Sequence, residues 1–164
     1  MKKGDLLLIH SRFDPLAWLI RKITKSYWNH VAWAIDHHYL LEARATAIEV
    51  CPITKYLNWK YKVKLIRLKS ITKKQLKEAI EYASQFKRKR TYFKYLKIIS
   101  KIFFYGQDTP LHGFTCSNLI ARGLEKEGYY FIPSHKKSPY LVTPDDISKA
   151  KASNVSYELL KQKI

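Results

Sequence analysis

The sequence predicts an α+β domain, with an antiparallel sheet built mainly from the first half of the chain and packed against helices that mostly come later. Three observations carry this. Short apolar segments with strand-like patterning recur between residues 4 and 68. Helix-starting signatures stand at Asp14-Pro15, Thr72 to Gln75 and Thr143-Pro144. No repeat, low-complexity tract or Gly/Ser linker divides the chain. Its 164 residues therefore suit a single domain over 1–164, and a composition 46% hydrophobic and 14% aromatic supplies a core.

Gly4–Ile9 reads as a short, largely buried strand. Asp14 is a good N-cap and Pro15 suits the first helical position, so a helix begins there with Leu16, Leu19, Ile20 and Ile23 on one face. His30–Asp36 and Tyr39–Ala43 read as two strands around a turn at Asp36-His37-His38, with Ile48–Cys51 a candidate third. Val63–Leu68 alternates apolar residues with lysine and arginine as a half-exposed strand should. Thr72 and Gln75 form a capping-box signature for a helix to about Arg88, with a buried stripe of Leu76, Ala79, Ile80, Ala83 and Phe86. Tyr92–Phe104 is apolar at helical spacing. Thr115 can cap a helix from Cys116 to Lys126 that stops at Gly128, and Thr143-Pro144-Asp145-Asp146 opens a last short one.

Charge and length exclude several classes. The longest apolar runs, such as Leu6–Ile9 and Ile102–Tyr105, fall far short of a transmembrane segment. Met1-Lys2-Lys3 before an apolar run has the outline of a signal peptide. His10-Ser11-Arg12 ends that run at once and no small-residue cleavage site follows, so a cytoplasmic protein is expected. Cys51 and Cys116 are too few for a disulfide framework and lack metal-type spacing, so neither metal nor cofactor is expected. Thirty-one Lys+Arg against 13 Asp+Glu leave a net charge of +18. Such a field attracts nucleic acid, anionic lipid headgroups or acidic cell-wall polymers; a lysine-rich solvated surface accounts for it equally well.

The chemistry-bearing candidates begin with Cys116. A thiol becomes a nucleophile when its pKa falls, and the unpaired N–H groups of a helix N-terminus lower it. Thr115-Cys116-Ser117 puts the sulfur in the first turn, where the same N–H groups can hold the oxyanion of an acyl-transfer intermediate. Taken alone, the residue reads as a buried packing cysteine. A thiol nucleophile also needs an imidazole, itself held by a third polar group. His30 opens an otherwise apolar strand and Glu42 interrupts another. If residues 36–38 form the turn, Ile35 pairs with Tyr39, and Glu42 falls diagonal to His30 on the same face, about 7–8 Å away between Cα atoms. A two-residue turn would put them on opposite faces.

Gly4-Asp5-Leu6-Leu7-Leu8, Tyr27-Trp28-Asn29-His30-Val31-Ala32, Leu41-Glu42-Ala43 and Phe114-Thr115-Cys116-Ser117-Asn118 together resemble the NlpC/P60 superfamily of papain-like enzymes. The cysteine comes last, so the resemblance is to the circularly permuted branch, the YiiX/YebB-like and lecithin:retinol acyltransferase-like proteins. Thr143-Pro144-Asp145-Asp146-Ile147 is similar to a segment that follows the cysteine helix in that family. The resemblance implies a permuted papain-like fold and a Cys116, His30, Glu42 triad. Asn118 departs from the Glu common after Cys-Ser, and the acyltransferase group's Asn-Cys-Glu-His motif is absent.

Secondary candidates are Tyr92, matching a family tyrosine near the oxyanion site but reading on its own as a core aromatic, Ser117 beside the nucleophile, and His10 at a strand end. His112 is a rival base or a loop residue, His37 and His38 are turn residues, and Cys51 is a packing residue. Trp18, Trp28, Trp33 and Trp59 line a groove or fill the core. The expected function is a thiol hydrolase cutting a peptide or lipid-amide bond through an acyl-enzyme, with peptide, lipid or cell-wall-derived substrates. A cell-wall substrate would require release by lysis or delivery to the envelope. The alternatives are an acyltransferase or lipid hydrolase with the same triad, and a non-catalytic basic module that binds nucleic acid, anionic membrane or cell-wall polymer.

Overall fold

Leu6-Leu7-Leu8-Ile9 carries no polar interruption because the strand it forms is covered on both faces. The computed structural model describes residues 1–44, 47–69, 71–87, 115–132, 141–149 and 152–155, with backbone alone for Ile23 and for 152–155. Among them, six strands form one sheet: β1 (Leu6–Ser11), β2 (His30–Ala34), β3 (Tyr39–Ala43), β4 (Ile48–Pro52), β5 (Tyr61–Leu68) and β6 (Ala152–Val155). Their order is β4-β3-β2-β1-β5-β6 and every neighbouring pair is antiparallel. The helices are α1 (Pro15–Thr24), α2 (Lys73–Ser84), α3 (Cys116–Glu125) and α4 (Pro144–Lys149). The expected α+β class with an antiparallel sheet is the one found.

One face of the sheet, with Leu6, Leu8, Val31, Trp33, Leu41 and Ile66, packs on the buried stripes of α2 and α3. The other face places Leu7, Ile9, Ala32, Ala34 and Leu40 against Ile53 and Tyr56 of a 3-10 turn (Ile53–Tyr56) that follows β4. Trp33 pairs with Leu41 and Ala34 with Leu40, and the Ile35 N–H donates to the Tyr39 carbonyl at 3.1 Å. That is the register of a three-residue turn. Asp36 closes it by accepting from the His38 and Tyr39 N–H groups at 2.7 and 2.8 Å.

Two helix starts follow their sequence signals closely. Thr72 and Gln75 form a full capping box, as do Thr115 and Asn118. Asn118 thus serves the helix start, where its side-chain oxygen accepts the Thr115 N–H at 2.9 Å. Helix α2 ends at Ser84, before the expected Arg88, though Phe86 still packs on the core. The expected apolar face of α1 is not the buried one: Ala17 is buried, Leu19 and Ile20 are half-buried, and Leu16 is exposed. Strand β6 was not anticipated, since Ala152-Ser153-Asn154-Val155 offers one β-branched residue and gains its place by pairing with β5. The helix expected over Tyr92–Phe104, and His112, lie outside the described residues.

The Gly4-Asp5 pair has a physical cause. Gly4 adopts φ of +92°, and a Cβ there would lie 1.9 Å from Leu76 Cδ2 on α2. Asp5, buried beside it, accepts two hydrogen bonds from Arg67 on β5, at 2.7 and 2.9 Å. Gly4→Ala is expected to destabilise the fold by about 1–3 kcal/mol through backbone strain and the displaced Leu76. A thermal melt checks this: an unchanged midpoint would contradict it.

Candidate active site

His30 is the first residue of β2 and Glu42 the last but one of β3, so the three-residue turn brings both to one end of the sheet and one face. There the His30 Nε2–H donates to Glu42 Oε2 at 2.7 Å. Nε2 being engaged, Nδ1 is the ring atom left for Cys116, the group whose charge acts most strongly in favour of the protonated imidazole. Cys116 is the first residue of α3, buried at 8% exposure among the core residues on the helix-covered face. His30 therefore bridges the two sides at the strand end.

The electrostatics separate charge between the two. Burial works against a charged imidazole, but the hydrogen bonds and charges of Cys116 and Glu42 outweigh it and lift His30 from 6.5 to about 10. Burial likewise works against the thiolate, yet His30 and the Val31 and Ser117 backbone N–H groups bring the Cys116 pKa below its ordinary value of 9.0. Both shifts act in the same sense, each favouring the charged form of its group.

Glu42 is almost fully buried and is held by groups that sequence reasoning passed over. Lys55 Nζ donates to Oε1 at 2.7 Å, the Tyr56 hydroxyl to Oε2 at 2.5 Å and the Cys51 thiol to Oε1 at 3.3 Å. Arg44 Nε lies 3.7 Å from Oε1. Burial, which disfavours a charged carboxylate, is outweighed by His30, Lys55 and Tyr56, so its pKa lies well below the usual range. The carboxylate acts back on its donors. Burial first and Glu42 second push the Cys51 thiol up to about 12 and the Tyr56 phenol beyond its ordinary range, so both remain protonated donors. Cys51 is thus more than the packing residue expected. Lys55 and Tyr56 sit on the 3-10 turn, which has no period to betray it; the only hint is a Lys-Tyr pair shortly after a strand-ending Pro52.

The secondary candidates separate. Ser117 Oγ donates to the Val142 carbonyl at 2.5 Å, tying α3 to the segment before α4, while its backbone N–H favours the thiolate. His10 stacks on Tyr27 with ring centroids 4.4 Å apart, and its Nδ1 is 2.7 Å from the Tyr27 carbonyl oxygen. Tyr92 lies outside the described residues. Of the tryptophans, Trp33 is core and Trp28 packs against it, whereas Trp18 and Trp59 are exposed.

Residues 1–103 match a family described as "Permuted papain-like amidase enzyme, YaeF/YiiX, C92 family". The match includes His30 and Glu42 and stops before Cys116. No curated protein matches the chain. A similar solved structure is titled as the crystal structure of metalloprotein yiiX from Escherichia coli O157:H7, DUF1105. It is 14% identical, covers 94% of this chain and 96% of its own, and has a TM-score of 0.56, a likeness of fold. The word metalloprotein belongs to that protein. Among the described residues here, no group of three or more His, Cys, Asp or Glu is placed to hold a metal ion. The Glu42 oxygens, already accepting from Lys55 and Tyr56 with Arg44 alongside, do not suit a cation. A family match over more than half of the chain, on a fold shared with yiiX, makes this protein a member of the permuted papain-like amidase family, YaeF/YiiX, and a cysteine peptidase or amidase.

Proposed function

We propose that Cys116, His30 and Glu42 form a catalytic triad that cleaves a peptide or lipid-amide bond through an acyl-enzyme, in the manner of the wider NlpC/P60 superfamily. The observation that carries this reading is His30 held by Glu42 at 2.7 Å, with the Cys116 thiol of the first turn of α3 near enough for each to shift the other's titration. In the proposed reaction the Cys116 thiolate adds to the amide carbonyl, and the oxyanion is met by N–H groups at the start of α3. The C–N bond breaks as the His30 imidazolium gives its proton to the departing amine. Neutral His30 then takes a proton from water, whose oxygen attacks the thioester. The carboxylic acid leaves and Cys116 regains the imidazolium–thiolate pair. Glu42 keeps the ring oriented and supports its positive charge throughout.

An activated aryl ester tests the covalent step before the natural substrate is known. Acid-quenched protein analysed by intact mass and peptide mapping is expected to carry the acyl group on Cys116. An acyl group found on other residues, or turnover retained by Cys116→Ala, would overturn the reading.

A further inference from the structure

Helix α1 and the loop before β5 leave large apolar side chains uncovered: Phe13 is 65% exposed, Trp18 54%, Leu16 38% and Trp59 67%. They belong together. Phe13 and Trp59 meet edge to face with ring centroids 5.1 Å apart, and the adjoining Arg12 N–H donates to the Lys60 carbonyl at 3.0 Å. With Asp14 as N-cap, Phe13 and Trp18 occupy the N′ and N4 positions, which share one side of a helix start. Isolated exposed apolar residues are ordinary; Phe13, Trp18 and Trp59, at one helix start and its contacting loop, form a patch that calls for a partner, and Leu16 flanks it across the buried Ala17.

On the described segments that carry the patch, the flanking charge is almost all positive. Arg12, Lys22, Lys25, Lys60 and Lys62 are all exposed. Within residues 10–30 and 53–64 the only carboxylate is Asp14, whose side chain accepts the Leu16 and Ala17 N–H groups. We propose that this patch is a docking surface for an anionic lipid bilayer, with Phe13, Leu16, Trp18 and Trp59 entering the headgroup region and the flanking cations meeting lipid phosphates and carboxylates.

A nucleic acid fits the same charge but not the same side chains. Base stacking needs open ring faces, whereas Lys22 Nζ sits 4.9 Å from the Trp18 ring centroid and Trp59 is paired with Phe13. Leu16 offers no stacking surface, yet suits the acyl–headgroup boundary. Position adds a consequence. Ser11 N–H donates to Asn29 Oδ1 at 2.7 Å, and Arg21 of α1 bonds both the Ser11 carbonyl and Asn29 Oδ1, beside His30. The patch is anchored to the sheet end where His30 begins β2, so docking brings that end to the bilayer. This inference stands on the exposed surface and is independent of the triad.

The test is flotation of the full chain with vesicles of neutral phosphatidylcholine alone or with phosphatidylglycerol. Binding is expected only with the anionic lipid, weakening as salt rises. Trp18→Ser/Trp59→Ser and Lys22→Glu/Lys60→Glu variants, each checked for an unchanged melt, are each expected to lose about tenfold or more in vesicle affinity. Brominated lipids should quench wild-type fluorescence, and that quenching should disappear in the tryptophan variant. Vesicle binding unchanged by both variants, or binding of a single-stranded oligonucleotide with none to vesicles, would overturn the proposal.

Discussion

Cys116→Ala is expected to reduce amide cleavage by at least about 10⁴-fold in kcat/KM, the largest effect of any single change. The side chain is small and buried, and its replacement removes one sulfur, so the fold should persist with a change of about 1 kcal/mol. Steady-state kinetics and a thermal melt on one preparation separate the outcomes. Activity retained by a folded Cys116→Ala protein would exclude the covalent route, while His30→Ala should fall nearly as far, because members of a triad act as a unit.

Glu42→Gln has the next largest expected effect, and it acts on two quantities. The amide would still reach His30 but would not support an imidazolium, so kcat should fall by about 10²–10⁴-fold with KM little changed. The same change leaves Lys55 and His30 without their carboxylate, while Arg44 keeps its ion pair with Glu49 at 2.9 Å. Lys55 and Arg44 keep some contact with solvent, so the stability cost lies between that of an exposed and a buried pair, about 2 kcal/mol. Below pH 4.5 the unfolded chain protonates Glu42 while the folded protein keeps it charged. The unfolded state then binds more protons, and this contribution is lost as pH falls through the folded pKa. Glu42→Gln should therefore flatten the acid limb of a stability–pH curve, and an acid limb unchanged from wild type would contradict the role assigned to Glu42.

The His30–Cys116 pair adds its own signature to that curve. His30 is raised, so its contribution is fully present below 6.5 and is lost as pH rises toward about 10, where the folded imidazolium releases its proton. Cys116 is lowered, so its contribution is fully present above 9.0 and is lost as pH falls through its folded pKa.

How much of this was legible in the sequence depends on the range of the interaction. The His30–Glu42 relation was readable because a three-residue turn fixes a register, and register fixes faces. The nucleophile's helix was readable because Thr115 is a local cap signal directly before Cys116 and Gly128 a local stop, whereas the part Asn118 takes in the capping box was not read. Lys55 and Tyr56 were not readable. They reach Glu42 from an aperiodic turn, and nothing within a few residues of either records that contact. Helix α1 was half readable: its start follows from Asp14-Pro15, but its end at Lys25 carries no such signal, and periodicity names an apolar face without naming what covers it. Strand β6 has too little intrinsic preference to be seen before its partner is known.

The rate of Cys116 alkylation by iodoacetamide between about pH 4 and 9, in wild type, His30→Ala and Cys51→Ser, tests the central claim most directly. Cys51, pushed up to about 12 by burial and Glu42, should stay silent, so Cys51→Ser should react as wild type does. The imidazolium–thiolate pair predicts fast labelling at Cys116 alone, already present below neutral pH and strongly slowed by His30→Ala. Labelling that rises only near the ordinary thiol pKa and ignores His30→Ala would contradict the activated pair and, with it, the triad.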